Sequence, residues 1–158
     1  MKNNLLLTSI LLLCVYLIAC SKSNGKSAPV VGSSVSFSAN DSFINFPLGT
    51  VFIQDVYNVH TTLITGQFAD SSSKKGSLSI RLIGDTTGRY HGDSIQVTYI
   101  NATGAIWINT KDTSNFVQIN TFAKTANGHV NGGFNCKVFN GKDSILLSNG
   151  TLIALYQD

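Results

Sequence analysis

An all-β fold is what the sequence predicts: an antiparallel β-sandwich or barrel of about eight to ten short strands. Three observations carry this. All eight acidic residues are Asp and there is a single Met, so helix formers are scarce while Ser, Thr, Asn and Gly abound. Apolar residues recur with a period of two. Among the Asn-Gly pairs, a strong tight-hairpin signal, those at 127, 140 and 149 stand between apolar runs. In chain order, strands are expected near 34–39, 49–54 and 58–68. Near 77–83, "SLSIRLI" puts Leu78, Ile80 and Leu82 on one face; near 94–100, "SIQVTYI" does the same with Ile95, Val97 and Tyr99. Near 104–110, "GAIWINT" sets Ile106 and Ile108 on one side and Trp107 on the other. A closing meander follows as "NFVQINTFA", "HVNGGFNCKVF", "SILLS" and "TLIALY", with Val130, Phe134, Cys136 and Val138 sharing a face. No segment of ten residues has helical period and caps.

The length, 158 residues, suits one domain, expected over 33–158, which is enough chain to bury roughly two-thirds of its unfolded surface. Formal charge is +3; setting Lys2 aside with the leader leaves ten basic residues against eight acidic. That surplus is too small and too scattered for a nucleic-acid surface, and the one adjacent basic pair, Lys74-Lys75, sits in "DSSSKKG", which reads as a solvated turn. Cysteines stand at 14, 20 and 136, so no disulfide framework is expected.

Residues 5–19, "LLLTSILLLCVYLIA", are fifteen mostly apolar residues behind Lys2. A bilayer-spanning helix wants about twenty, whereas this length suits a secretory signal. "LIAC" resembles the bacterial lipobox, in which small residues fit a peptidase beside the scissile bond and the thiol receives a diacylglyceryl group before cleavage. The resemblance implies a lipoprotein signal peptide over 1–19 and a lipidated Cys20 as mature N-terminus. Two or three acyl chains then make a stable membrane anchor. Ser21 follows the Cys where an Asp would favour inner-membrane retention, so the expected location is the outer membrane, facing the periplasm. Residues 20–32 form a Ser/Gly/Lys-rich tether.

Catalytic signals are thin. "HGDSIQ" at 91–96 carries Gly-Asp-Ser before an aliphatic residue, as in an esterase nucleophile block, but no Asp stands three residues before any His, and a tight turn explains it better. Eight Asp residues, mostly in turn contexts, show no pairing for glycoside hydrolysis. His60, His91 and His129 lack metal-ligand spacing, so neither metal nor cofactor is implied. Cys136 shares the parity of core residues and reads as a small buried hydrophobe. Trp107 is the aromatic that stands out. It either packs in the core or lies exposed with Tyr99 or Tyr90 nearby, forming a ligand contact that stacks on a sugar ring or partner.

The order "FSAND", "TGRY" before "VTY", then "VNGGF" and "ILLSNGTLIALY" resembles a group of small bacterial lipid-anchored β-domain lipoproteins of unassigned function. The likeness covers 33–158, departing from it at Phe43 or Phe46, where Trp is frequent, and at Leu152, where Phe is usual. It implies a fold and an address, and no activity. The function expected is thus a non-enzymatic binding or structural module of the envelope. Its partners would be the membrane, through its lipid, and an envelope polysaccharide or another envelope protein. The alternatives are an Asp/His-dependent hydrolase and a lipocalin-like carrier of an apolar ligand, which needs a hollow barrel.

Overall fold

A computed structural model describes residues 32–68 and 76–157. The leader, Cys20, most of the tether and Lys74-Lys75 lie outside the described residues. The fold is all-β, as expected, with eleven strands in one mixed sheet. They are β1 (Ser34–Ala39), β2 (Ser42–Phe46), β3 (Leu48–Val56), β4 (Val59–Gln67), β5 (Ser77–Ile83), β6 (Gly88–His91), β7 (Ile95–Ile100), β8 (Ile106–Asn109), β9 (Phe116–Phe122), β10 (His129–Asn140) and β11 (Asp143–Tyr156).

Eleven strands exceed the eight to ten expected: two strands were not foreseen, while two that were foreseen are one. The edge strands β2 and β6 are short and mostly solvated, so neither carries a legible apolar alternation. Conversely, "SILLS" and "TLIALY" are one strand, β11, and Asn149-Gly150 between them is no hairpin. Asn149 takes a left-handed φ of 53°, and opposite it the pairings of β11 with both β1 and β10 skip one residue. The dipeptide therefore makes a β-bulge, which the same left-handed preference serves as well as a turn. Of the other pairs read as turns, Asn127-Gly128 lies in the loop between β9 and β10, and Asn140-Gly141 leads from the end of β10 into its turn to β11. The expectation of a wholly antiparallel sheet is also corrected, because Leu155 and Tyr156 of β11 run parallel to Thr50 and Val51 of β3.

Two hairpins were not legible as such. β1 and β2 are joined through Asn40-Asp41, and β3 and β4 through Tyr57-Asn58, with φ positive at both loop residues in each case. Left-handed φ at both loop positions matches the right-handed twist of the flanking strands. Tyr57 is a bulky residue in that region and is 96 % exposed.

Hydrogen-bonded neighbours run β2-β1-β11-β3-β4-β5-β7-β8-β10-β9-β6, and β10 also pairs with β11. That last pairing closes a circuit through β11, β3, β4, β5, β7, β8 and β10, with β1–β2 branching from β11 and β9–β6 from β10. Along this side of β10 the ladder has a gap, since pairing with β9 ends at Asn135 and pairing with β8 begins at Val138. Buried Asn115 fills it: its Oδ1 accepts from the Lys137 N–H at 2.7 Å and its Nδ2 donates to the Thr110 carbonyl. A peptide group that would otherwise be stranded is satisfied by a side chain.

Facing walls of the circuit meet in an aromatic cluster. Phe37 of β1 touches Phe46 of β2, Phe134 of β10 and, edge-on at 5.5 Å between centroids, Tyr99 of β7. The inward rows predicted for β5, β7 and β10 are buried, including Leu78, Ile80, Leu82, Val97, Val130, Cys136 and Val138. The walls approach closely enough that a Cβ on Gly66 of β4 would lie 2.8 Å from Val35 of β1.

Candidate functional site

With one parity of β9, β10 and β11 committed to the core, the other parity forms the outer face. Pairing places Gln118 beside Gly133 and Gly133 beside Thr151, while Phe116 stands beside Asn135. Gly133 contributes no side chain to the middle of this row, and the bulge at Asn149 bends β11 along one side. The result is a surface groove of about 470 Å³ lined by Phe116, Gln118, Gly133, Asn135, Asn149 and Thr151 among others. None of its eleven lining residues carries a charge. Its chemistry is amide, hydroxyl and exposed peptide, with the ring of Phe116 at the surface and that of Phe134 buried beneath.

The surface ring is held in place. The Arg89 guanidinium of β6 lies 3.7 Å from the centroid of Phe116, a cation–π contact that helps fix the ring. Asn135 Oδ1 is buried without a hydrogen-bond partner. An unpaired buried acceptor costs about 1–3 kcal/mol, so it is a liability to the fold that needs a reason.

The residues singled out from the sequence lie elsewhere. Trp107 and Tyr99 are direct partners across β7 and β8. Tyr99 is buried in the core, and burial pushes its phenol pKa upward. Trp107 is half-buried against the same core and its Nε1 has no partner, whereas Ile106 and Ile108 face outward. Tyr90 pairs with Val117, and its hydroxyl donates to the Thr86 carbonyl at 2.8 Å. None of the three lines the groove. Cys20 is outside the described residues.

Reactive constellations are sparse among the described residues. Gly92-Asp93-Ser94 is a short 3₁₀ turn; Ser94 Oγ donates to the His91 carbonyl and accepts the His91 N–H, so the backbone holds the hydroxyl. Asp93 pairs with Lys111 at 2.7 Å on the surface. His60 and Asp55, cross-strand partners on β3 and β4, meet at 2.6 Å, but both side chains are about two-thirds exposed. Lys124 lies 2.6 Å from Asp85 and holds its carboxyl below the usual range. His129 Nε2 is buried without a partner. Burial pushes the Cys136 thiol up to about 12, which keeps it protonated and unreactive at neutral pH. No group of three or more His, Cys or Asp side chains able to hold a metal occurs among the described residues.

The groove was missed in the sequence because it is a property of register. "VNGGF", "FVQIN" and "SNGT" each read as strand and turn grammar, and only their alignment across three strands sets the amides around a glycine. Comparison with known proteins adds nothing to this geometry: no family model, no curated protein and no solved structure matches the chain.

Proposed function

We propose that the protein is a lipid-anchored binding module of the bacterial cell envelope, without catalytic activity, that holds its ligand on the outer face of β9, β10 and β11. The single observation that supports this reading is the uncharged groove, built of hydrogen-bonding side chains with no His, Cys, Lys or carboxylate among its lining residues to act as acid or base or to activate a hydroxyl. Its volume falls within the roughly 300–1,000 Å³ usual for small-ligand sites. We take the closed strand circuit for a flattened barrel whose centre is filled by Phe37, Phe46, Tyr99 and Phe134, which favours a surface ligand over a lipocalin-like interior one. Thr151 is exposed at the groove, so Thr151→Arg fills it without disturbing the core. Wild-type protein in detergent is expected to co-sediment with insoluble envelope material and Thr151→Arg to lose most of that binding. Equal binding by the two would overturn the assignment of the groove.

The anchor follows from "LIAC" and supplies the address, the outer membrane facing the periplasm. Cys20→Ala removes the only thiol positioned for lipidation, and the protein is expected to move from the membrane pellet to the soluble fraction with no acyl label. Retention of label and of membrane attachment would sink the lipoprotein reading. A hydrolase reading has one observation in its favour, the Asp55–His60 pair, which lies on an exposed hairpin. Turnover abolished by His60→Ala would establish that alternative.

A further inference from the structure

We infer that the ligand of this groove is a neutral glycan, bound across β9, β10 and β11 with a sugar ring set against Phe116. The inference rests on the reading of the groove as the ligand face and narrows its ligand to one chemical class.

Charge decides first. An acidic polymer or phosphate ester would be met by Lys or Arg, and the lining has neither; Arg89 lies outside it, over the Phe116 ring. A cation would be met by carboxylates, and there are none. An apolar ligand would strand the amide and hydroxyl groups that line the walls. A protein partner would seek large exposed apolar or aromatic anchors, and here Phe116 is the sole ring at the surface of the groove. What remains is a ligand that both donates and accepts hydrogen bonds without carrying charge and has an apolar face to lay against a ring. Sugar hydroxyls and the C–H face of a pyranose meet both demands, and Asn and Gln amides offer two donors and an acceptor each.

The shape agrees. Three strands about 4.8 Å apart give a trough of roughly 10 Å, a fit for a short stretch of polymer lying across them. Gly133 keeps the floor at backbone level; a Cβ there would lie 2.9 Å from the Gly150 carbonyl oxygen. Asn135 supplies the strongest sign. Asn135 lines the groove and its Oδ1 has no partner in the protein, so the amide keeps hydrogen-bonding capacity that the fold does not use. Removing that side chain from a merely structural surface relieves an unpaired acceptor. Removing it from a binding site costs a ligand contact.

The test uses full-length protein in detergent with neutral polymers (dextran, mannan, soluble xylan) and acidic ones (alginate, polygalacturonate), alongside the envelope material. At least one neutral polymer is expected to bind, with affinity unchanged by added salt because no ion pair contributes. Asn135→Ala is expected to weaken it about tenfold while leaving the thermal midpoint unchanged or higher, and Phe116→Ala to weaken it at least as much. Binding confined to acidic polymers and lost in salt overturns the inference. So does a full panel without binding, and so does Asn135→Ala that binds like wild type. If Thr151→Arg abolishes envelope binding while no neutral polymer binds, the groove stands and the glycan falls. If Thr151→Arg binds the envelope like wild type, the groove itself falls.

Discussion

Phe37→Ala is expected to lower the unfolding free energy by about 3–5 kcal/mol, a large part of the roughly 5–15 kcal/mol a domain has. Phe37 is 1 % exposed, and its ring is the one that touches β2, β7 and β10 at once. Truncation leaves a hole between walls that strand pairing holds apart, so the neighbours cannot collapse fully into it. Urea denaturation checks this as a lower midpoint with an unchanged slope. Phe37→Leu, which keeps most of the volume, should cost well under half as much. A loss below about 1 kcal/mol for the alanine variant would show that the cluster is not the centre of the core.

Gly132→Ala is expected to destabilise by about 3 kcal/mol or more, at the upper end for a single methyl group. A Cβ at this position would collide with the Gln118 carbonyl oxygen and lie 3.1 Å from the Ile119 Cα, both backbone atoms of β9. A side chain can swing aside; a ladder carbonyl cannot, so β9 must peel from β10. Gly133→Ala next door meets a single carbonyl at 2.9 Å and should cost distinctly less. Denaturation of both variants, with amide exchange across β9 and β10, checks the order. Gly132→Ala as stable as wild type would mean that β9 does not sit in the described register.

The strands whose residues point alternately to core and solvent were legible at once. Leu78, Ile80 and Leu82, Ile95, Val97 and Tyr99, and the Val130-to-Val138 row are all buried as their period requires. β2 and β6 escaped because an edge strand with one covered side carries little pattern to read, and in β2 the exposed Phe43 blurs what there is. Asn149-Gly150 was misplaced for a different reason: a left-handed Asn marks a turn or a bulge equally, and only the partners β1 and β10 decide. Trp107 illustrates the limit on side-chain pattern in a short strand. Its opposition to Ile106 and Ile108 was correct, but which side faces the core depends on how β8 sits against β7. The groove needed three registers at once, and no local window holds that information.

β11 has a consequence in time as well as space. It joins β10, β1 and β3, so the last strand in sequence is the one on which the circuit closes. A nascent chain that has not yet reached Asp143 can form the continuous β3–β4–β5–β7–β8–β10–β9 ladder, but β1 lacks the strand that pairs it into the sheet and the circuit has no closing member. Closure brings residues near 35 and 153 together, a separation that makes for folding on the millisecond-to-second scale. Until then the circuit stays open, and the β1–β2 hairpin has no strand of the sheet to pair with.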